Sequence, residues 1–142
     1  FILTYPGAPS IYYGDEIGLT GGKDPECRKT FPWDENEWNT DLRDQLKSYI
    51  ALRNANPVLR TGAYKVIYAH DGVIAYTRKN DEKTMLVILN ANDSPKTVTI
   101  PTGDVFAVGT KLKSQLSDRE LVVTINGIED LELKCLSGLV LA

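Results

Sequence analysis

The positions of hydrophobic and polar residues follow two different periods along this chain, and the period changes at Gly62. Before that point, residues three or four positions apart form one largely apolar helical stripe, which consists of Leu42, Leu46, Tyr49, Ile50 and Arg53. The stripe predicts a helix from about residue 40 to 54, with Thr40 as its N-cap. Pro57 disfavours helical geometry at Asn56 and therefore predicts the end of this helix.

Beyond residue 62, apolar and polar residues alternate, which is typical of strands with one buried face. The alternation places three large side chains on one side of the first strand: Tyr64, Val66 and Tyr68. Asp71-Gly72 then predicts a tight hairpin turn, with residues 73–78 as the partner strand. Met85 to Leu89 is a continuous apolar run, which predicts a strand buried on both faces.

Turn signals separate further short alternating segments in the last third of the chain. Asp93-Ser94-Pro95 and Asn126-Gly127 predict turns, and residues 139–142 a last strand. The alternating apolar positions between these turns are Val98, Ile100, Leu121, Val123, Ile125, Leu131 and Leu133. Short strands with frequent turn signals are typical of a sandwich. We therefore predict a mainly β fold in which residues 61–142 form an antiparallel β-sandwich of Greek-key type.

A short apolar run, Ile11-Tyr12-Tyr13, precedes a long loop near the start of the chain. The run follows Pro and Gly turn signals and stops at Gly14, so we predict a buried parallel strand over residues 9–13. We expect this strand to have no parallel neighbour within this chain. The loop continues to Trp33, and loops of this length are usually functional or disordered. Two tryptophans, Trp33 and Trp38, an Asp-Pro turn and an arginine favour a functional loop over a disordered one.

Charge and cysteine content exclude several classes of protein. The formal net charge of −3 argues against a nucleic-acid-binding protein, which would carry a basic face. No apolar run approaches the roughly 20 residues that span a bilayer, so we expect no membrane partner. Cys27 and Cys135 are too isolated for a zinc site; we expect both to be reduced, with Cys135 packed in a core, and a single disulfide is the alternative. Reduced thiols favour a cytoplasmic location.

Three segments of the sequence stand out by their motifs and their order. They are PGAPSIYYGDEIG at 6–18, DPECRKTFPW at 24–33 and LRNANPVLRTG at 52–62. Together, and followed by a strand-rich part that ends in LSGLVLA, they resemble the C-terminal part of alpha-amylase family glycoside hydrolases. The sequence is most similar to the group of cyclomaltodextrinases, neopullulanases and maltogenic amylases.

The resemblance implies a chain made of two parts. Residues 1–60 correspond to the end of a catalytic (β/α)8 barrel, with the end of helix 7, strand 8, a long loop and helix 8. Residues 61–142 correspond to the C-terminal sandwich. The chain is then the terminal fragment of a retaining hydrolase that cleaves α-glucosidic bonds in malto-oligosaccharides, cyclodextrins or pullulan. Its partners would be that substrate and the missing barrel portion. Because apolar surface in residues 1–35 would otherwise face that portion, we expect self-association or local disorder there.

The resemblance also indicates which residues contact sugar. Asp24 and Arg28 match positions on the rim where family members hold the non-reducing end of a malto-oligosaccharide. A carboxylate beside a guanidinium fork suits a ring with many hydroxyl groups. The alternative is that the two residues only form an exposed pair with each other. We expect Tyr12, Tyr13 and Glu16 to support the site from behind without contacting the sugar.

No pair of residues in this chain matches the requirements of catalysis. Retaining glycosidases need two carboxyl groups about 5 Å apart on either side of the sugar bond. Asp15 and Glu16 are adjacent and would face opposite directions on a strand, so we expect neither to be catalytic. The resemblance places the catalytic carboxylates in earlier motifs that this chain lacks. We expect the chain alone to be inactive, without cofactor or metal.

Four further residues were considered as sugar contacts or as structural residues, and three of them keep two interpretations. Trp33 either stacks on a sugar or anchors the loop in the core, and His70 is most simply an exposed turn residue. Tyr64 and Tyr68 either form a starch-binding platform or are ordinary strand residues. The alternative function for the whole chain is a free-standing carbohydrate-binding or structural module. The barrel-like first part argues against that alternative.

Overall fold

The computed structural model describes all 142 residues, with two helices followed by eight strands. The helices are α1 (Thr40–Ala55) and α2 (Val58–Thr61). The strands are β1 (Ala63–His70), β2 (Val73–Lys79), β3 (Thr84–Asn90), β4 (Lys96–Ile100), β5 (Lys111–Lys113), β6 (Glu120–Val122), β7 (Ile128–Leu133) and β8 (Ser137–Leu141). Short 3₁₀ turns lie at Asp15–Ile17, Glu26–Arg28, Glu35–Glu37 and Gly103–Val105. No helix is both long enough and apolar enough to cross a membrane.

The strands form one large sheet and two small ones, and every pairing is antiparallel. The large sheet has the order β1-β2-β3-β8, while β4 pairs with β7 and β5 with β6. The pairs are nested along the chain: β3 with β8, then β4 with β7, then β5 with β6. The chain therefore leaves the large sheet after β3 and returns to it with β8. The predicted antiparallel sandwich is confirmed.

The large sheet is buried on both faces, because helices cover one face and the small sheets cover the other. Toward the small sheets lies a core of eleven side chains: Val73, Ala75, Leu86, Ile88, Ile100, Leu112, Val123, Ile128, Leu131, Leu133 and Leu141. Toward the helices lies a core of seven: Leu52, Val58, Leu59, Tyr76, Met85, Val87 and Val140. Successive residues of β3 enter alternate cores, which explains its continuous apolar run.

Helix α1 occupies the predicted segment, but its N-cap is Asn39 and not Thr40. The Asn39 side chain accepts a hydrogen bond from the backbone N–H of Leu42 at 3.0 Å. Thr40 is the first helical residue. At the other end Asn56 has extended geometry, as Pro57 predicted. Pro57 then begins the four-residue helix α2, which is too short to leave a periodic signal.

The predicted strand over residues 9–13 is absent. These residues have no regular secondary structure, and Ile11, Tyr12 and Tyr13 are exposed. A strand needs a neighbour to satisfy its backbone hydrogen bonds, and none of the eight strands lies beside this segment. The prediction was therefore wrong for the structure of this chain. Upstream, Tyr5 donates its backbone N–H to the carbonyl of Phe1 at 3.1 Å, which makes one helical turn.

A β-bulge in β1 changes the predicted alternation of its side chains. The register shifts between Val66 and Tyr68, so Ile67 is an extra residue opposite β2. As a result, Tyr64 packs on the helix side of the large sheet and Tyr68 on the opposite side. The prediction that both tyrosines point the same way was wrong. They are half-buried on different faces and do not form a joint platform.

Two other predicted positions are exposed. Ile125 is 87% exposed, because β6 ends at Val122 and the chain turns back through a bridge between Thr124 and Gly127. Cys135 lies in the turn between β7 and β8, so its predicted packing in a core was wrong. Both cysteines are free and exposed.

Two buried arginines connect the start of the chain to the helices and the large sheet. Arg53 of α1 donates to the carbonyls of Leu3 (3.0 Å), Tyr5 (3.2 Å), Gly7 (2.6 Å) and Leu59 (2.8 Å). Arg78 of β2 donates to the carbonyls of Thr4 (2.7 Å), Leu59 (2.7 Å) and Gly62 (2.9 and 3.3 Å). Neither guanidinium forms a salt bridge. These bonds fix residues 3–7, from which the long loop departs.

Candidate functional site

The first turn of the long loop uses both of its carboxylates to hold its own backbone. Asp15 accepts the N–H of Tyr12 at 3.1 Å, and Glu16 accepts the N–H of Gly14 at 2.7 Å. Gly14 has a φ of 92°, and a Cβ there would lie 2.7 Å from the side chain of Leu19. The adjacent carboxylates are therefore engaged in the turn and do not face each other across a cleft that could hold a sugar bond.

Asp24 and Arg28 form a two-pronged ion pair on the outside of the loop. The Arg28 Nε lies 2.9 Å from Asp24 Oδ1, and its Nη2 donates to Oδ2 at 3.0 Å. The 3₁₀ turn at Glu26–Arg28 brings the guanidinium back over the carboxylate. The side chains of Asp24 and Arg28 are 62% and 70% exposed, so the pair is open to a ligand. Two of the five guanidinium N–H groups are engaged, which leaves three donors for other partners.

Of the three predicted supporting residues, Tyr13 contacts the chain next to this pair. Its hydroxyl donates to the carbonyl of Lys29, the residue after Arg28, at 2.9 Å. The Tyr12 and Tyr13 ring centres are 4.6 Å apart, and the interaction with the Tyr13 hydroxyl raises the pKa of Tyr12. Glu16 stabilises the turn at Gly14 by accepting the backbone N–H of that residue. All three therefore hold the loop.

A cavity of about 530 Å³ lies beside Tyr13 and was not predicted from the sequence. Its lining residues are Tyr13, Glu16, Ile17, Phe31, Trp33, Trp38 and Arg43. Trp33 is 84% exposed, so the interpretation that it anchors the loop in the core was wrong. Trp38 is half-buried instead, and its indole N–H donates to the carbonyl of Pro32 at 2.8 Å. Three aromatic residues within one loop are the signal that would have predicted this cavity.

The remaining candidate residues do not form a site. His70 is exposed at the end of β1, and its ring centre is 6.5 Å from that of Tyr68. No group of three or more His, Cys, Asp or Glu side chains is arranged to hold a metal ion. The chemistry of the loop is therefore that of hydrogen-bonding and stacking groups.

Comparison with known protein families gives a match over most of the strand region. The family model described as "Neopullulanase-like, C-terminal domain" matches residues 64–138. A maltogenic alpha-amylase from Bacillus acidopullulyticus is 38% identical over 137 residues, which cover 94% of this chain and 22% of that protein. A cyclomaltodextrinase from a Bacillus species is 44% identical over 105 residues, which cover 72% of this chain and 19% of that protein.

Solved structures of similar proteins extend the likeness to nearly all of the chain. A cyclomaltodextrinase superposes with a TM-score of 0.84 at 34% identity and covers 99% of this chain. An alpha-amylase from Geobacillus thermoleovorans, solved in complex with acarbose, superposes with a TM-score of 0.85 at 28% identity over 99% of this chain. This chain spans only 24% and 30% of those two structures. Their matching parts have the same fold as this chain.

Proposed function

The chain belongs to the neopullulanase-like C-terminal domains of the alpha-amylase family, and on that premise we propose that it works as part of an enzyme that hydrolyses α-glucosidic bonds. The substrates would be malto-oligosaccharides, cyclodextrins or pullulan. Relatives named as cyclomaltodextrinase, neopullulanase and amylopullulanase support this range. Within such an enzyme, this chain supplies sugar contacts at the rim of the active site and a sandwich with a structural role.

The exposed ion pair of Asp24 and Arg28 is the observation that carries this proposal. A pair that served only stability would gain little, because exposed ion pairs contribute about 0–1 kcal/mol. Here the carboxylate keeps free lone pairs and the guanidinium keeps free N–H groups, side by side. Each hydroxyl group of a glucose ring can donate and accept a hydrogen bond, so two neighbouring hydroxyl groups are well matched by an acceptor and a donor that lie side by side. The Tyr13 bond to Lys29 holds the loop in position for that contact.

Hydrolysis itself would depend on carboxylates outside this chain. Asp15 and Glu16, the two carboxylates nearest in sequence to the tyrosines, are bound to backbone N–H groups of their own turn. We therefore propose that the purified chain does not hydrolyse malto-oligosaccharides. Turnover by the purified chain that is lost in Asp15→Ala or Glu16→Ala would contradict this.

The test uses an active enzyme that carries this chain, with Asp24→Ala and Arg28→Ala measured on maltose through maltohexaose. Charge-assisted hydrogen bonds are worth about 1.5–3 kcal/mol. Losing one therefore lowers kcat/KM by roughly 10- to 150-fold, since about 1.4 kcal/mol is a factor of ten. Because the contact lies away from the cleaved bond, long substrates should lose this factor and the shortest should lose little.

The matched control is a second exposed acid–base pair, Asp44 and Lys47 on α1, whose charged atoms lie 3.9 Å apart. Alanine at either position should leave kcat/KM unchanged at every substrate length. If Asp24→Ala and Arg28→Ala change kcat/KM equally for all lengths, or not at all, the pair is only a surface ion pair and the proposal fails.

A further inference from the structure

Arg53 and Arg78 form one buried cluster of hydrogen-bond donors, because both bind the carbonyl of Leu59, at 2.8 and 2.7 Å. The two side chains come from different parts of the fold, since Arg53 belongs to α1 and Arg78 to strand β2 of the sandwich. Arg53 is 6% exposed and Arg78 is fully buried. Their contacts lie inside the chain, so they do not depend on any surface that the rest of a longer protein would cover.

The arginine cluster binds the segment from which the long loop departs. Residues 1–5 make one helical turn, and carbonyls at the end of such a turn lack backbone partners. The two guanidinium groups supply donors to four of these carbonyls, those of Leu3, Thr4, Tyr5 and Gly7. The Thr4 side chain adds a further bond to β2, because its hydroxyl oxygen lies 2.5 Å from that of Tyr76. Residues 3–7 are therefore fixed both to α1 and to the sandwich.

The arginine cluster is a costly arrangement if stability is its only role. Burying a charge is costly even when the charge is hydrogen-bonded, and no carboxylate forms a salt bridge with either guanidinium. What an arginine offers in return is a planar, rigid fork of donors, which fixes several acceptors relative to one another. The cluster therefore defines the position of residues 3–7 more narrowly than apolar packing would.

Residues 8–12 connect this fixed segment to the proposed sugar-binding rim. At one end of the connection lies Gly7, whose carbonyl the arginine cluster binds at 2.6 Å. At the other end lies Tyr13, whose hydroxyl donates to the carbonyl of Lys29 at 2.9 Å. Lys29 follows Arg28 directly, so the position of Tyr13 bears on the position of the ion pair at the rim.

Helix α1 holds the chain on both sides of Tyr13. In the last turn of the helix, Arg53 binds Gly7. At the start of the helix, the N–H of Asn39 donates to the carbonyl of the buried Ile17 at 3.0 Å. A shift of Gly7 relative to α1 is therefore taken up between these two points, where Tyr13 lies.

We propose that Arg53 and Arg78 are positioning residues for sugar binding. By fixing residues 3–7 to β2, they make the sandwich set the position of the rim pair, Asp24 and Arg28. This inference depends on the proposed function and goes beyond it, because the sandwich then affects substrate binding and not only stability. Neither buried arginine touches the sugar, and the effect is confined to substrates that are long enough to reach the rim.

The test measures kcat and KM separately in an active enzyme that carries this chain, with maltose through maltohexaose as substrates. Arg78→Met removes the donor fork from β2 and should raise KM for maltohexaose by about 2- to 30-fold, the range expected when a mutation acts on a site through packed contacts. The kcat should stay unchanged, because the lost contact lies away from the cleaved bond. KM for maltose should change little. Arg78→Lys keeps the charge without the planar fork, so it should raise KM by a smaller factor.

Two further variants control for stability and folding. Leu131 is buried in the core toward the small sheets, so Leu131→Ala destabilises the sandwich without touching the arginine cluster. At a temperature at which circular dichroism shows every variant to be folded, it should leave KM unchanged at every substrate length. If neither Arg78 variant folds, Tyr76→Phe removes only the hydroxyl that binds Thr4 and should raise KM for maltohexaose by about two-fold.

A double mutant tests whether Arg78 acts through the rim. In an enzyme that already carries Asp24→Ala, Arg78→Met should have no further length-dependent effect, because the contact that it positions is absent. An equal effect of Arg78→Met with and without Asp24→Ala would overturn the inference. An unchanged KM in the folded Arg78→Met enzyme, or an equal rise of KM in Leu131→Ala, would overturn it as well.

The same measurements separate this inference from the proposed function. If Asp24→Ala weakens long substrates selectively while Arg78→Met leaves KM unchanged, the positioning role is refuted and the rim contact stands. If Asp24→Ala has no length-dependent effect, the proposed function is refuted, and the positioning role is refuted with it.

Discussion

Replacing Arg78 with methionine removes a buried guanidinium that joins β2 to the first residues of the chain. The side chain is fully buried, and it donates to the carbonyls of Thr4, Leu59 and Gly62. Methionine fills a similar volume with an unbranched apolar chain, so the change tests the hydrogen bonds more than the packing.

The magnitude follows from the carbonyls that lose their donor. Leu59 keeps the bond from Arg53 at 2.8 Å, whereas Thr4 and Gly62 lose the donors that Arg78 supplies. A buried polar group left without a partner costs about 1–3 kcal/mol, so two cost about 2–6 kcal/mol. Burial, followed by the nearby charge of Arg53, lowers the pKa of Arg78, which means that the protein favours the charged form less than water does. Removing that charge offsets part of the loss, and we expect a net loss of about 2–4 kcal/mol.

The assay is urea unfolding followed by circular dichroism. Small proteins have m-values of about 1–3 kcal/mol per molar urea, so the midpoint should fall by about 0.7–4 M at an unchanged m-value. Lys79→Met is the matched control, because Lys79 is the next residue of β2 and is exposed. It should change the free energy of unfolding by no more than about 0.5 kcal/mol. If Arg78→Met is as stable as the parent chain or more stable, the buried charge outweighs its hydrogen bonds and the reasoning is refuted.

Two other predictions concern the cap of α1 and the Tyr76 hydroxyl. Asn39→Ala removes the hydrogen bond to the Leu42 N–H and should lose about 0.5–2 kcal/mol of stability in the same assay. The control Thr40→Ala should lose less than about 0.5 kcal/mol. A larger loss in Thr40→Ala than in Asn39→Ala would show that Thr40 is the N-cap. Burial raises the pKa of Tyr76 to about 12 from 10.0, so the folded chain keeps a proton that the unfolded chain releases. The stability from Tyr76 is complete below pH 10 and falls as the pH rises toward 12, so Tyr76→Phe should flatten this part of the curve of unfolding free energy against pH. An identical alkaline decline in the variant would exclude Tyr76 as its source.

The sandwich could be predicted from the sequence because its signals are local. Asp71 and Gly72 have φ angles of 46° and 69°, the turn geometry that this dipeptide favours. That turn sets the register of β1 with β2. The bulge at Ile67 has no comparable signal, because Tyr64, Val66 and Tyr68 alternate as they would in a regular strand. Which face each tyrosine takes was decided by packing against the two cores.

The first part of the chain was harder to predict because its structure depends on distant contacts. Arg53 was assigned by spacing to the apolar stripe of α1, yet its burial depends on carbonyls of residues 3–7 and 59. Nothing in the sequence around Arg78 indicated that its side chain is buried. The apolar run at 9–13 predicted a strand, but no neighbouring strand supplies its hydrogen bonds here. Hydrophobic periodicity indicates which face of a helix or strand is buried, but not which segment of the chain packs against that face.

The long loop shows why one of its carboxylates is available to a ligand while two are not. Asp15 and Glu16 lie beside free backbone N–H groups, those of Tyr12 and Gly14, and accept them. Asp24 is followed by Pro25, which has no N–H, and the next N–H, of Glu26, is bound to the Lys23 carbonyl at 2.7 Å.

Asp24 is therefore left with a side chain, Arg28, as its only partner. An exposed side-chain partner can rearrange around a ligand at little cost, whereas a backbone N–H within a tight turn cannot. The freedom of the Asp24 carboxylate to exchange its partner thus follows from the proline after it, and the rim contact that we propose would use this freedom.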